Sequence, residues 1–341
     1  MDKQLELTVG SLPHGRRNGI TDVAGVRVGH ATLDHDGTHT GVTVILPCDG
    51  NAYVRKPVAA AHVLNGFGKT CGLMQVQELG CLETPIALTN TLCVGRVADA
   101  LITHTLHESA REGLVPPTTI NPVVGETNDG RINDICNRAV SEKDVLSALE
   151  SASRDFARGA VGAGRGTVCF GLKGGIGSSS RLVRACGETF TVGVLVQSNF
   201  GHMQDLMVCG NPIGKRIAGQ LASEELPERG SVLAVVATDA PLTSRQLGRV
   251  IRRATVGLVR CGSYMGHGSG DVFIGFTTAN CKGYSQTDKA LELRVLPEEQ
   301  LDGLFRACGE ATEEAVLDSL ISAEPMRGRD GTLYHSLREF L

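Results

Sequence analysis

Residues Met265 to Phe276 read MGHGSGDVFIGF: three glycines alternate with polar residues, one serine sits among them, and an apolar run follows at once. Glycine-rich turns serve several chemistries, and the order of the flanking elements discriminates among them. A dinucleotide fingerprint runs strand, glycines, helix, so that the phosphate meets a helix N-terminus. Around Gly266, Gly268 and Gly270 a helical pattern precedes and a strand pattern follows, which argues against that use. A nucleophile elbow needs glycine two residues before its serine and a helix after it. His267 stands there instead, and a strand follows.

A third chemistry fits this polarity. If the Gly268–Ser269 bond is cut, Ser269 becomes a new N-terminus at the head of a strand, with a hydroxyl and a free α-amine on one residue. That amine has an ordinary pKa of about 7.7–8.0, so a useful fraction is neutral near pH 7 and can serve as general base. Ser269 Oγ can make the cut itself, attacking the preceding carbonyl to give an ester that water hydrolyses. Glycine before the serine leaves that carbonyl open on both faces. On spacing alone, a plain glycine-rich loop remains the alternative.

The elements that must position this turn are short and mixed. Strand candidates are Gly41 to Pro47, Thr84 to Asn90, Thr189 to Gln197, Val232 to Thr238 and Asp271 to Ala279, all β-branched and bounded by Gly, Pro or Asn. Helical periodicity from Val97 places Ala98, Leu101, Ile102 and Leu106 on one stripe. Ser141 and Asp144 have capping-box spacing before Val145, Leu146 and Leu149. A helix from Thr243 through Arg260 presents Leu247, Val250, Ile251 and Ala254, and a last long helix runs from Glu298 to Ala323. Without a clean βαβ rhythm, the pattern favours sheets layered inside helices over a doubly wound nucleotide fold. Ala222 to Ser231 is the best candidate for an exposed connection, and it does not look like a domain linker.

The bulk composition narrows the class. The 341 residues are 41% hydrophobic and carry a formal net charge of -4, with basic residues scattered, so neither nucleic acid nor an anionic membrane is a partner to expect. Eleven cysteines without a C-x-x-C pair read as reduced thiols in a cytoplasmic protein. The first ten residues hold no apolar signal core, and no stretch approaches the ~18 apolar residues of a membrane span. The pairs His35/His39 and His104/His107 lack a third ligand at a telling distance, so no metal is expected, nor any cofactor.

Several segments together resemble one family. They are NGITDVAGVRVGH (Asn18 to His30), TGVTVILP (Thr40 to Pro47), the stretch Leu64 to Gly95, NPVVGETNDGRIND (Asn121 to Asp134), Gly159 to Arg181, VGVLVQSNFG (Val192 to Gly201), VATDAPL, GHGSGDVFIGFTTAN and GEATEEAVLDSL. The resemblance is to the self-processing L-aminopeptidase/D-esterase (DmpA-like) family, which includes the β-peptidyl aminopeptidases, and it covers nearly the whole chain in order.

That resemblance implies a single hydrolase domain over residues 1–341 with an α/β, four-layer αββα sandwich of the DmpA/ornithine acetyltransferase type, similar to N-terminal-nucleophile hydrolases. It implies a cut into a large chain, 1–268, and a small chain, 269–341, that stay together and assemble as an oligomer of heterodimers. Carried over by position, Ser269 is the nucleophile and Asn199 the oxyanion-hole donor; a strand-ending turn asparagine is the plainer alternative. Thr312 and Glu314 fall where family members carry a Ser-x-Glu pair that orients the amine, with Thr in place of Ser; an exposed helix carboxylate is the alternative for Glu314. Glu126 is the candidate for gripping the substrate's amino group, supported by Asn128 and Asp129, although all three also suit an Asx turn. The family commonly reads C-Y-G where this chain has Phe170, so a hydroxyl is absent there and an aromatic wall remains conceivable. Lys173 to Gly177 either borders the same site or is a packing loop.

The activity expected is removal of N-terminal residues from small peptides, amino-acid amides or esters through an acyl-Ser269 intermediate. The rivals are an acyltransferase of the ornithine acetyltransferase type, against which Ser269 argues because threonine is usual there, and an unprocessed, non-catalytic relative.

Overall fold

The computed structural model describes residues 8–221, 229–284 and 290–341, with the Arg229 side chain excepted. The first hairpin joins β1 (Arg27–His35) to β2 (Thr38–Leu46) through Asp36 and Gly37, both at positive φ (45° and 76°), the pairing that a two-residue turn between twisted strands demands. His35 and His39 therefore lie in this hairpin, and His39 Nδ1 bonds Asp34 Oδ1 at 2.6 Å. The short helix α1 (Ala52–Arg55) leads into β3 (Pro57–Gly66), and α2 (Leu73–Leu79) into β4 (Ile86–Asn90). Helix α3 (Val94–Arg111) precedes β5 (Val123–Thr127), and α4 (Glu142–Glu150) follows it.

The second half opens with a small hairpin, β6 (Val168–Cys169) and β7 (Leu172–Lys173), then the long pair β8 (Gly175–Ala185) and β9 (Glu188–Asn199). Helix α5 (Gly214–Leu221), β10 (Arg229–Thr238), α6 (Ser244–Ile251), α7 (Ala254–Arg260) and β11 (Gly268–Cys281) come next. Helix α8 (Asp302–Ser322) and the hairpin β12 (Met326–Arg327) with β13 (Leu333–Tyr334) complete the chain.

Two sheets stack face to face, ordered β1-β2-β4-β5 and β3-β11-β10-β9-β8. Between them lies an apolar layer of Val28, Ile45, Ile86 and Leu88 against Leu195, Leu233, Val235, Ile274 and Phe276. Each such side chain stabilises the fold by roughly 1.5–3 kcal/mol relative to exposure. Helices α3 and α4 cover the outer face of the first sheet, where Val97, Leu101, Val145 and Leu149 meet Val42, Val44 and Ala87. Helices α6, α7 and α8 cover the second, bringing Leu247, Val250, Leu258 and Val316 onto Val194, Val196 and Val232. This is the αββα sandwich expected from the sequence.

Details differ from the periodicity. In α3 the fully buried stripe is Val97, Leu101 and Thr105 with Ala100, while Ala98, Ile102 and Leu106 are half-buried, because two facing elements, β5 and α4, define the covered side. The helix expected from Thr243 to Arg260 is two, broken at Arg252 and Arg253, and a 3₁₀ turn over Glu298–Gln300 precedes α8. Capping at Ser141 runs through its backbone N–H, which donates to Asp144 Oδ2 at 2.8 Å. The proposed connection from Ala222 to Ser231 lies largely outside the described residues.

Candidate active site

Strand pairing gathers the chemistry at one end of the second sheet. Asn199 closes β9 opposite Ser231 in β10, and Ser231 lies beside Gly270 in β11. Beside them opens a cleft of about 1010 Å³, whose lining includes Phe67, Lys69, Thr91, Glu126, Asn128, Arg131, Asn199, Ser231, His267, Gly268, Arg329, Asp330 and Tyr334. Among the described residues, no group of three or more His, Cys, Asp or Glu side chains is placed to hold a metal ion.

A turn of Gly266 to Ser269 is closed by Ser269 N–H donating to the Gly266 carbonyl at 2.9 Å, after Met265 in the left-handed region (φ 52°). Asn65 of β3 clamps the turn, its Nδ2 donating to the carbonyls of Gly266 at 2.9 Å and Ser269 at 2.7 Å. Gly268 is part of the cleft wall, and Ser269 lies directly behind it, 1% exposed. Its Oγ donates to Asp271 Oδ1 at 2.7 Å. The close approach of the loop after β3 explains Gly270, where a Cβ would meet the Phe67 carbonyl oxygen at 2.6 Å.

Glu126, near the end of β5, is buried with its Oε1 accepting from Lys69 N–H at 2.8 Å and its Oε2 from the Thr91 hydroxyl. Asn199 is fixed at both ends of its amide: Oδ1 accepts from Val168 N–H at 3.0 Å, and Nδ2 donates to the Asn128 carbonyl at 3.0 Å. The amide nitrogen carries a second hydrogen, which no described residue takes up. Asn128 lines the cleft, but its side chain closes an Asx turn on Gly130 N–H at 3.0 Å.

Four expected site residues lie elsewhere. Asp129 points into the first sheet, accepting from Thr40 Oγ1 at 2.5 Å and Asn133 Nδ2 at 3.0 Å, and its burial pushes its pKa up to about 6. Phe170 is no cleft wall: at φ 51° it occupies a two-residue turn between β6 and β7, fully buried with its ring 5.2 Å from that of Phe200. Thr312 donates to the Cys308 carbonyl one turn back in α8. Glu314 meets Arg181 at 2.6 Å, Asn18 Nδ2 at 2.6 Å and Ser179 Oγ at 3.1 Å on the outer face of β8. Ser179 and Arg181 pair with Val194 and Val192, five and seven residues before Asn199 along β9, roughly 20 Å from the cleft end. The sequence spacing could not show that α8 crosses the sheet at that level.

Lys173 to Gly177 is a packing segment. Lys173 is fully buried and donates to the carbonyls of Gly164, Thr167 and Gly174 at 3.0, 2.8 and 2.7 Å; burial lowers its pKa well below the ordinary lysine value. This pins the segment that presents Val168 to Asn199. Gly177 admits α8 so closely that a Cβ there would fall 1.9 Å from the Ala315 carbonyl oxygen.

Stacked sheets inside helical layers, with a serine heading a central strand beside a cleft, define an N-terminal-nucleophile hydrolase fold. The model of peptidase family S58 matches residues 18–334, and the chain belongs to that family. It is 38% identical to the β-peptidyl aminopeptidase BapA of Sphingosinicella microcystinivorans, over 93% of this chain and 84% of that one. Among solved structures, the PH0078 protein of Pyrococcus horikoshii superposes with TM-score 0.93 at 43% identity, covering 99% and 96% of the two chains. The L-aminopeptidase D-Ala-esterase/amidase of Ochrobactrum anthropi, described as a new variant among the Ntn-hydrolase fold, gives 0.89 at 33%, covering 97% and 94%. As a member of this family the chain is a hydrolase.

Proposed function

We propose that this protein is an aminopeptidase that cuts itself at Gly268–Ser269 and then releases N-terminal residues from small peptides, amides or esters through an acyl-Ser269 intermediate. The carrying observation is Ser269 at the head of β11, behind a cleft wall that also presents Glu126 and Asn199. In the first step Asp271 takes the Ser269 hydroxyl proton as Oγ attacks the Gly268 carbonyl carbon. The C–N bond breaks, the proton passes to the departing nitrogen, and water hydrolyses the ester to a Gly268 carboxylate and a free Ser269 amine. Strand β11 is hydrogen-bonded to β3 on one side and β10 on the other, so a cut at its start leaves the chains 1–268 and 269–341 joined.

In turnover the freed amine takes the hydroxyl proton, Glu126 holds the substrate ammonium, and Asn199 donates to the oxyanion. A cytoplasmic setting, supported by free cysteines throughout, and assembly into an oligomer of heterodimers belong to the same proposal. The test is hydrolysis of amino-acid p-nitroanilides and their N-acetylated forms by the cleaved enzyme. Release from the free amine alone is the expected result, with a bell-shaped pH profile, because the enzyme's amine must be neutral and the substrate's charged and both titrate at about 7–8. Equal hydrolysis of the acetylated compounds would contradict the role given to Glu126.

A further inference from the structure

The cleft's charges are of both signs and occupy different elements. Glu126 sits on the strand end, whereas Arg131 enters past the turn at Asn128 to Gly130, and Arg329 arrives from the β12–β13 hairpin. The two arginines are tied side by side, Arg329 N–H donating to the Arg131 carbonyl at 3.1 Å. Among the described residues Arg131 has no salt bridge, and the one carboxylate that pairs with Arg329, Asp134, stands 3.7 Å away at a half-exposed site. Asp330 on the same rim accepts Thr332 N–H at 2.9 Å, and its carboxylate, held below the usual range mainly by Thr332, also feels the Arg131 charge without forming a salt bridge to it. The cleft's third cation, Lys69, has its Nζ over the Phe67 ring at 4.5 Å.

We infer that Arg131 and Arg329 form a carboxylate subsite that selects short peptides with a free C-terminal α-carboxylate, dipeptides foremost, over the matching amides. The inference rests on the aminopeptidase proposal and names its substrate class. Planar guanidinium groups match a carboxylate with paired N–H donors, and neither Arg131, which has no salt bridge among the described residues, nor Arg329, whose Asp134 contact is 3.7 Å long, has its N–H fork occupied by a close carboxylate. An extended dipeptide carries its ammonium and carboxylate about 7 Å apart. A cleft of about 1010 Å³ holds such a molecule with room to spare. With the ammonium at Glu126 and the scissile carbonyl at Ser269, the leaving residue carries its carboxylate toward the arginine rim. Recognition at both ends also limits substrate length, since a longer peptide places its carboxylate beyond the pair.

The experiment compares kcat/KM for L-alanyl and β-alanyl dipeptides and their C-terminal amides, using cleaved wild type, Arg131→Gln, Arg329→Gln and the double variant. Wild type is expected to favour the acid by roughly 10–100-fold, largely through KM. The ratio should collapse in the double variant, and Arg131→Lys should retain part of it. Salt should weaken hydrolysis of the acid more than of the amide, a wild-type readout that needs no variant to fold. Equal use of acid and amide by wild type, or a preference that survives both substitutions, would overturn the subsite alone. Failure to hydrolyse either compound would overturn the aminopeptidase proposal and the subsite with it.

Discussion

In the proposed reaction, Asn199 is the side chain whose orientation is fixed in advance. Its amide is held at the oxygen by Val168 N–H and at the nitrogen by the Asn128 carbonyl, so the remaining hydrogen has a fixed direction before substrate arrives. Preorganised donors of this kind act without reorganisation as charge develops. Asn199→Ala should therefore lower kcat by about 10²–10³ with a smaller change in KM, read from steady-state kinetics on the cleaved enzyme. Little change in kcat would return Asn199 to the role of a strand-ending turn residue. Ser269 is prepared differently, its hydroxyl bonded to a buried carboxylate and its carbonyl clamped by Asn65 from another strand. The serine is legible in the sequence because its glycines stand out. Asn65 is not, because its contact spans two strands distant in sequence.

At the level of elements, α8 is the main departure from expectation. Its acidic face does not reach the cleft; it is spent on β8, where Arg181 is fully buried and pairs with Glu310 at 3.4 Å and Glu314 at 2.6 Å. Removing the cation from such a group leaves buried charges uncompensated, so Arg181→Met should cost about 3–5 kcal/mol, measured by denaturant unfolding. Glu314→Gln should likewise act on stability and leave kcat of the folded, cleaved enzyme within a fewfold; a collapse of kcat at unchanged stability would restore Glu314 to the catalytic group. Strands β2, β4, β9, β10 and β11 are visible as β-branched runs. Strand β8 is not: Ser178, Ser179, Ser180 and Arg181 break any apolar run, yet all are buried and bonded to partners such as Asn18, Asp22 and Glu314. The Asp36–Gly37 turn was a hairpin signal in plain sight. Arg131 and Arg329 lie in loops, where no periodicity marks them and only tertiary packing brings them together.

On the scale of the whole molecule, the proposed cut at Gly268–Ser269 is compatible with an intact fold. The Gly268–Ser269 bond sits at the edge of the sandwich, while the strand it heads runs through the middle of a five-stranded sheet and α8 covers that sheet. The layered fold followed from the mixture of short strands and amphipathic helices; the placement of the cleft did not, since it is set by register across β9, β10 and β11. Self-cleavage that creates the nucleophile is the central claim, and it is covalent. The most direct measurement is the intact mass of denatured purified protein, wild type beside Ser269→Ala. Two wild-type fragments are expected, the smaller beginning at Ser269, and a single uncut chain for the variant. A wild-type chain that stays whole after prolonged incubation, or a variant that is still cut at the same bond, would contradict it.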